Sequence, residues 1–369
     1  KKQKYTLPNR GYATYRTKLI LDTACVLGIK IKDYCNSYKL WINNKLIARG
    51  GQPGKSLEST VPVKVNTTQS FISQKGINEV IFQTANFHEH YGGFRNPFVI
   101  AQKKKIEEIS YKRLIVDSIV LGIILIMAIY HLGLYTLNWK RKSLLYFSLL
   151  SFLIFLRQAL LSDISLFDGW IQSHLFLYLK TTISAALLAT LMLCLLFQSV
   201  FPGLFSRVLL RIYALFISLF LIFVFIAPIY YVSISIHIVQ AIGILILIYI
   251  AYLSIRYLFS FDHNKQIFAL GILLFILATG IELLIFNRFI YSDYAIHFAL
   301  VFFIFFQSYA LSADYSTTYN QNLVLSEKLE FQNQKIQKLA QEKSKEAIQE
   351  KERELFSAVL NKNKIDHQL

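Results

Sequence analysis

Four ionisable side chains, Asp117, Arg157, Lys180 and Glu282, stand inside stretches that are otherwise almost wholly apolar. A charge at hydrocarbon depth is costly, so such residues normally face a bundle interior or water and find partners. Two acids and two bases could therefore line a pocket, or pair across helices and set their packing. The alternative is that Arg157 and Lys180 snorkel to an interface while Asp117 sits in it. Three further histidines in apolar runs, His131, His237 and His297, are of the kind that hydrogen-bond between helices rather than relay protons. A second group lies earlier, where His88 and His90 flank Glu89. Two imidazoles with no clear third ligand are a weak basis for a metal site, so none is expected. The chain carries no glycine-rich phosphate loop, no trustworthy phospho-acceptor context and no helix-turn-helix pattern. No cofactor and no catalytic residue are expected within it.

The elements that must position the four charges are long apolar runs from Arg113 to Ala313. A helix needs about 20 apolar residues to cross a core of roughly 30 Å. Seven segments meet this length, at about 115–137, 144–161, 174–199, 208–230, 234–255, 267–286 and 295–312. An odd number puts the chain ends on opposite sides. The loops after spans one, three and five carry Trp139-Lys140-Arg141-Lys142, Arg207 with Arg211, and Arg256 with Lys265, whereas the alternate loops carry Asp163 and Asp168, no charge, and Arg288 with Asp293. Basic residues mark the cytoplasmic side, so the start is expected outside and the end in the cytoplasm. All four buried charges then fall in the outer half of the bundle.

Composition agrees with a mixed architecture. The chain of 369 residues is 54% hydrophobic and 15% aromatic, with mean hydropathy +0.43, too apolar for a soluble domain and too charged for a bundle alone. Residues 1–113 hold 20 Lys and Arg against 7 Asp and Glu and so carry most of the net charge of +17. Such a segment could attract anionic headgroups, an anionic surface polymer or nucleic acid, and an extracytoplasmic position would remove the last. The chain starts at Lys1 without a signal-peptide pattern, which reads as a cut or processed end. Before the bundle the periodicity is strand-like, at 19–32, 38–48, 61–65 and 79–84, with Gly50, Gly51, Pro53 and Gly54 as punctuation. An antiparallel β-sandwich is expected over 1–102, followed by a linker at 103–113, a bundle at 114–312 and a cytoplasmic helix at 313–369. Cys25 and Cys35 could form a disulfide in an oxidising compartment, and Cys194 reads as a small packing residue.

The strings YKLWINNKLIARGGQPG, GYATYRTKL and FQTANFHEHYGGFRNPFVIA resemble the jelly-roll, carbohydrate-binding-like ectodomain of bacterial seven-transmembrane receptors with diverse intracellular signalling modules. The closing run FALVFFIFFQSYALSADYSTTYNQNLVLSEKLE is similar to the last span and exit helix of the same family. The resemblance implies strand-end turns at Asn43 and Asn44, and again at Asn86, His88, Gly92 and Gly93. It also implies a small extracytoplasmic ligand, a carbohydrate among the candidates. Asn43, Asn86, His88, Tyr91 and Arg95 would suit hydroxyl or carboxylate recognition with ring stacking, although Asn and Gly at turns also serve simply because they tolerate positive φ.

After the bundle, Leu325, Leu329, Ile336 and Leu339 repeat at heptad-compatible spacing and predict a coiled-coil seam, hence a homodimer. Position 343 breaks the seam with Lys, and Ala347, Ile348, Leu355 and Val359 resume an apolar face in a shifted frame. No enzyme module is readable before Leu369. The resemblance implies an output such as a histidine kinase, a nucleotide cyclase or a transcription regulator, with a response regulator as a partner. The reading is a multi-pass sensor of the bacterial cytoplasmic membrane. Its rival is a transporter or channel using the four buried charges, against which the scarcity of broken helices counts.

Overall fold

A computed structural model describes residues 9–34, 36–90, 98–162, 168–259, 263–287 and 295–366. The chain divides into two compact units, Lys1–Ala310 and Leu311–Leu369.

Among the described residues the first unit opens with seven strands: β1 Gly11–Leu21, β2 Val26–Tyr34, β3 Ser37–Ile42, β4 Lys45–Gly50, β5 Val65–Ile72, β6 Gly76–Asn86 and β7 Val99–Gln102. They form two sheets, ordered β1-β6-β3-β4 and β5-β2-β7, with antiparallel pairing throughout. The run 19–32, expected to be continuous, breaks between Leu21 and Val26, and 38–48 is a hairpin. Its turn residues Asn43 and Asn44 have φ of 49° and 62°, the paired positive φ that a two-residue hairpin needs to match strand twist. The expected strand at 61–65 is reduced to a single Gln52–Val61 bridge, and the strand proper starts at Val65.

One apolar core joins the sheets, built from alternate residues Leu27, Ile29 and Ile31 of β2, Tyr38, Leu40 and Ile42 of β3, and Val80 and Phe82 of β6. Period-two alternation sends these side chains to one face. Tyr38 crosses the core: its ring stacks on Phe82 at 5.2 Å between centroids, and its hydroxyl shares a 2.8 Å hydrogen bond with Thr67 of β5. Gly50 makes room for that ring, since a Cβ there would lie 2.5 Å from Tyr38 Cε1.

The helices are α1 Lys103–Leu137, α2 Lys142–Leu161, α3 Asp168–Ser173, α4 Leu175–Val200, α5 Arg207–Ile226, α6 Ile229–Leu258, α7 His263–Phe286 and α8 Ala295–Asp366. Among the described residues, α1, α2, α4, α5, α6 and α7 are long and apolar enough to cross a bilayer. The seventh apolar segment, 295–312, opens the 72-residue α8. The bundle is apolar outside as well as inside. On α5, for example, Val208, Ile212, Leu215, Leu219, Ile222 and Ile226 are exposed at alternating spacings of four and three, while Leu210, Tyr213, Ile217 and Val224 are buried. So large an apolar surface suits lipid and not water.

Residues 103–113 are helical and continuous with the first span. At 35 residues α1 is about 52 Å long, well beyond the roughly 30 Å of hydrocarbon, so its first turns are free to meet the sandwich. Ile106 is 1% exposed there and packs against β2 at Gly28, where a Cβ would lie 2.9 Å from the Ile106 Cβ. Lys30 of β2 donates to Ser110 Oγ at 3.1 Å. Replacing Gly28 by Val should push α1 off the sandwich and cost about 1–3 kcal/mol by overpacking, read as a lowered unfolding midpoint for the strand region of the full chain in nanodiscs.

Candidate functional site

The sandwich is seated on the helix ends by a collar of cations and rings. Lys64, 7% exposed, donates from Nζ to the Leu160 carbonyl at 2.7 Å, and its ammonium lies 4.5 Å from the Tyr178 ring centroid. The last carbonyls of a helix have no intrahelical donor and carry the negative end of the macrodipole, so a lysine there satisfies both. Arg10 Cζ lies 3.4 Å from the ring centroid of Tyr230, the second residue of α6, a stacking worth about 0.5–2 kcal/mol. The His90 backbone N–H donates to Ser233 Oγ at 3.0 Å, and its ring meets Tyr230 edge-on at 6.2 Å. His88 packs on Phe176 of α4, with ring centroids 5.5 Å apart. Burial and, secondly, the nearby Arg10 charge hold the His88 pKa below its usual value. The collar thus touches α2, α4 and α6 at one end of the bundle, the end from which α1 rises.

The expected ectodomain residues divide. Asn43 accepts from the Glu79 N–H and donates to Asn78 Oδ1, both at 2.9 Å. Asn86 donates to the carbonyls of Asn9 and Glu89, at 3.0 and 2.9 Å, and accepts from the Glu89 N–H at 3.1 Å. These amides hold the loops together. His88 faces the bundle, and Tyr91 and Arg95, with Gly92 and Gly93, lie outside the described residues. So does Cys35; Cys25 is a free thiol with its sulfur 3.5 Å from Ser73 Oγ.

Of the four bundle charges, the fold brings together Arg157 of α2 and Glu282 of α7 as a direct ion pair. Asp117, 1% exposed, lies 3.8 Å from Arg113 one turn earlier on α1. Lys180 of α4 donates at 2.8 Å to the Phe225 carbonyl in the last turn of α5. Polar contacts beyond the four charges also join the helices, among them Ser148 Oγ to the Ala128 carbonyl and Thr190 with Tyr213, both at 2.8 Å. Gln307 of α8 is fully buried, donates to the Phe268 carbonyl at 2.8 Å, and nests against Gly271, where a Cβ would lie 2.5 Å from its Nε2. Beside it, Ser308 donates to Met127 Sδ of α1 at 3.5 Å.

Residues 113–314, more than half of the chain, match the family described as 7TM diverse intracellular signalling. The chain belongs to that family. It is a multi-pass membrane protein of a signalling-receptor family. No curated protein sequence matches it. Among solved structures, a GH2 β-galacturonidase from Eisenbergiella tayi bound to galacturonate is similar at 13% identity and a TM-score of 0.18, covering 25% of this chain and 17% of that one. A likeness that slight carries no argument.

In this seven-transmembrane signalling protein the residues that sequence reasoning missed are Lys64 and Arg10 of the collar, together with Gln307. Lys64 was one of many lysines in a basic segment, and nothing local marks it for a helix end. Gln307 had a detectable signal, being an amide within an apolar run. Two outcomes follow from the geometry. Replacing Arg157 or Glu282 alone by Leu should cost about 1–3 kcal/mol, because each leaves an unpaired charge, and the double replacement should recover much of the loss in a double-mutant cycle of nanodisc stability. His88 has a folded pKa below its unfolded one, so its contribution is complete above the unfolded value near 6.5 and is lost as pH falls through the lower, folded value. The sandwich should therefore loosen on acidification, with faster amide exchange around 86–90, and His88→Phe should remove that pH dependence.

Proposed function

We propose that this chain is a sensor of the bacterial cytoplasmic membrane, with the sandwich outside and the end of α8 in the cytoplasm. The distribution of Arg and Lys between alternate loops supports that orientation. The sandwich recognises a small extracytoplasmic ligand, and carbohydrate is the class to which the family resemblance points. The observation that carries the reading is the collar: Lys64, Arg10, His88 and His90 bind the sandwich to α2, α4 and α6 rather than leaving it on a flexible tether. A ligand that prefers one seating of the sandwich then biases the arrangement of seven helices, 295–312 being the seventh.

The outgoing part is α8. Leu325, Leu329, Ile336 and Leu339 are 49–62% exposed on the single chain, and their heptad spacing suits burial against a second copy. The homodimer would hand the shift to an output module or response regulator. Transport has less support, because Arg157 with Glu282, Asp117 with Arg113, and Lys180 with the Phe225 carbonyl stand as separate contacts.

Leu329→Lys with Ile336→Lys should weaken dimerisation at least about tenfold, since two cations replace apolar seam positions. It should also abolish the response of a reporter module fused after Leu369, with ligand binding intact. Unchanged output in that variant would end the relay reading.

A further inference from the structure

Strand register fixes a row of side chains on the outward face of the larger sheet. Thr14 of β1 stands opposite Gln83 of β6, Gln83 opposite Lys39 of β3, and Lys39 opposite Arg49 of β4. Their strand neighbours Phe82, Tyr38, Leu40 and Ala48 are in the core, so alternation turns this row outward. Thr14, Gln83 and Arg49 are exposed and Lys39 is half-buried. The next outward row is Arg16, Ile81, Trp41 and Leu46, which puts the half-buried Trp41 two residues, about 7 Å, along β3 from Lys39. Charge on this face is one-sided. Like charges directly opposite each other are destabilising, and Lys39 with Arg49 is such a pair. The sequence of the four strands offers one acid, Glu79. It is engaged by Arg16 and stands opposite Lys18. It also lies four residues along β6 from Gln83, about 13 Å at strand rise. The pair of Lys39 and Arg49 therefore has no carboxylate beside it in the sheet.

The face is also turned away from the bilayer. Ile106 meets Gly28 and Ser110 meets Lys30, and four residues of helix and two of strand each advance about 6 to 7 Å. So α1 runs along β2 on the outer side of the smaller sheet, and the strands stand along the axis of the first span. The larger sheet's outward face is on the far side of the sandwich. It looks sideways above the membrane surface rather than down onto headgroups.

We propose that this face binds an acidic polysaccharide, a polymer with carboxylates on pyranose rings. A carboxylate lies between Lys39 and Arg49, where the guanidinium fork matches its two oxygens and the anion relieves the repulsion of the two cations. A neighbouring ring of the polymer stacks on Trp41, an aromatic surface being suited to the C–H face of a sugar, and hydroxyls reach Thr14 and Gln83. An open sheet face encloses little of a small molecule, whereas a polymer engages several such contacts at once. The surface rests on the extracytoplasmic placement of the sandwich proposed above and needs nothing from the α8 seam. Direct binding tests it, so its failure leaves the seam experiment untouched.

The full chain in nanodiscs of uncharged lipid is titrated with alginate and polygalacturonate oligomers. Dextran is the arm without carboxylates, polyglutamate the arm without sugar rings, and phosphatidylglycerol vesicles the membrane arm. The expected result is saturable binding of at least one acidic oligomer, with dextran, polyglutamate and vesicles at least about tenfold weaker. Trp41→Ala, and separately Lys39→Gln with Arg49→Gln, should each weaken that binding at least about tenfold, a stacked or charge-assisted contact being worth that much. Trp41→Phe, which keeps a ring, should restore most of what Trp41→Ala loses. Lys103→Gln with Lys104→Gln, the same change of charge on α1, should leave binding as it is. No binding by either acidic oligomer up to on the order of 1 mM, equal binding by polyglutamate or by vesicles, or undiminished binding by the chain carrying Lys39→Gln and Arg49→Gln would each overturn the proposal.

Discussion

Hydrocarbon offers no hydrogen bonds, and that one constraint organises the contacts of this protein. A polar group that enters the bundle is costly unless it finds a partner inside the fold. Arg157 finds Glu282, Lys180 finds the Phe225 carbonyl, and Gln307 finds the Phe268 carbonyl. The same rule acts at the helix ends, where the Leu160 carbonyl receives Lys64 from the sandwich. Polar residues are few in these spans, so each such contact joins a specific pair of elements: α2 to α7, α4 to α5, α7 to α8, and the strand region to α2. The apolar faces between them pack against one another or against lipid and do not choose partners so narrowly.

Two kinds of attachment connect the sandwich to the bundle, and they differ physically. The first is steric and continuous: α1 leaves β7 without a break, and Ile106 fits over Gly28. The second is a set of separable polar and ring contacts to α2, α4 and α6. The sandwich is thus joined to α1 by packing and chain continuity and to three other helices by side-chain contacts. Packed interfaces switch between discrete arrangements more readily than they deform. The half-buried His88 belongs to the second set, and burial with the nearby Arg10 charge holds its pKa below the usual value.

The hairpin at Asn43-Asn44 shows how the same residue supports two readings. Its positive φ values and its hydrogen bonds to Asn78 and Glu79 make Asn43 a part of the framework. Asn86 plays the corresponding part at the start of the His88 loop. Turn chemistry was visible in the sequence, but the destination of each amide was not, because a side-chain amide serves a loop or a ligand with the same atoms.

Residue order alone determined the spans, the strand-rich beginning, the heptad spacing on the last helix and the presence of four costly charges, since these depend on local hydropathy and periodicity. Tertiary structure alone decided that Arg157 meets Glu282 while Asp117 lies beside Arg113, because helix neighbours in a bundle are set by packing across long sequence separations. It also decided that Lys64, Arg10, His88 and His90 form one collar. Those placements depend on strand register and on where the sandwich rests, neither of which leaves a mark within any single stretch of the chain.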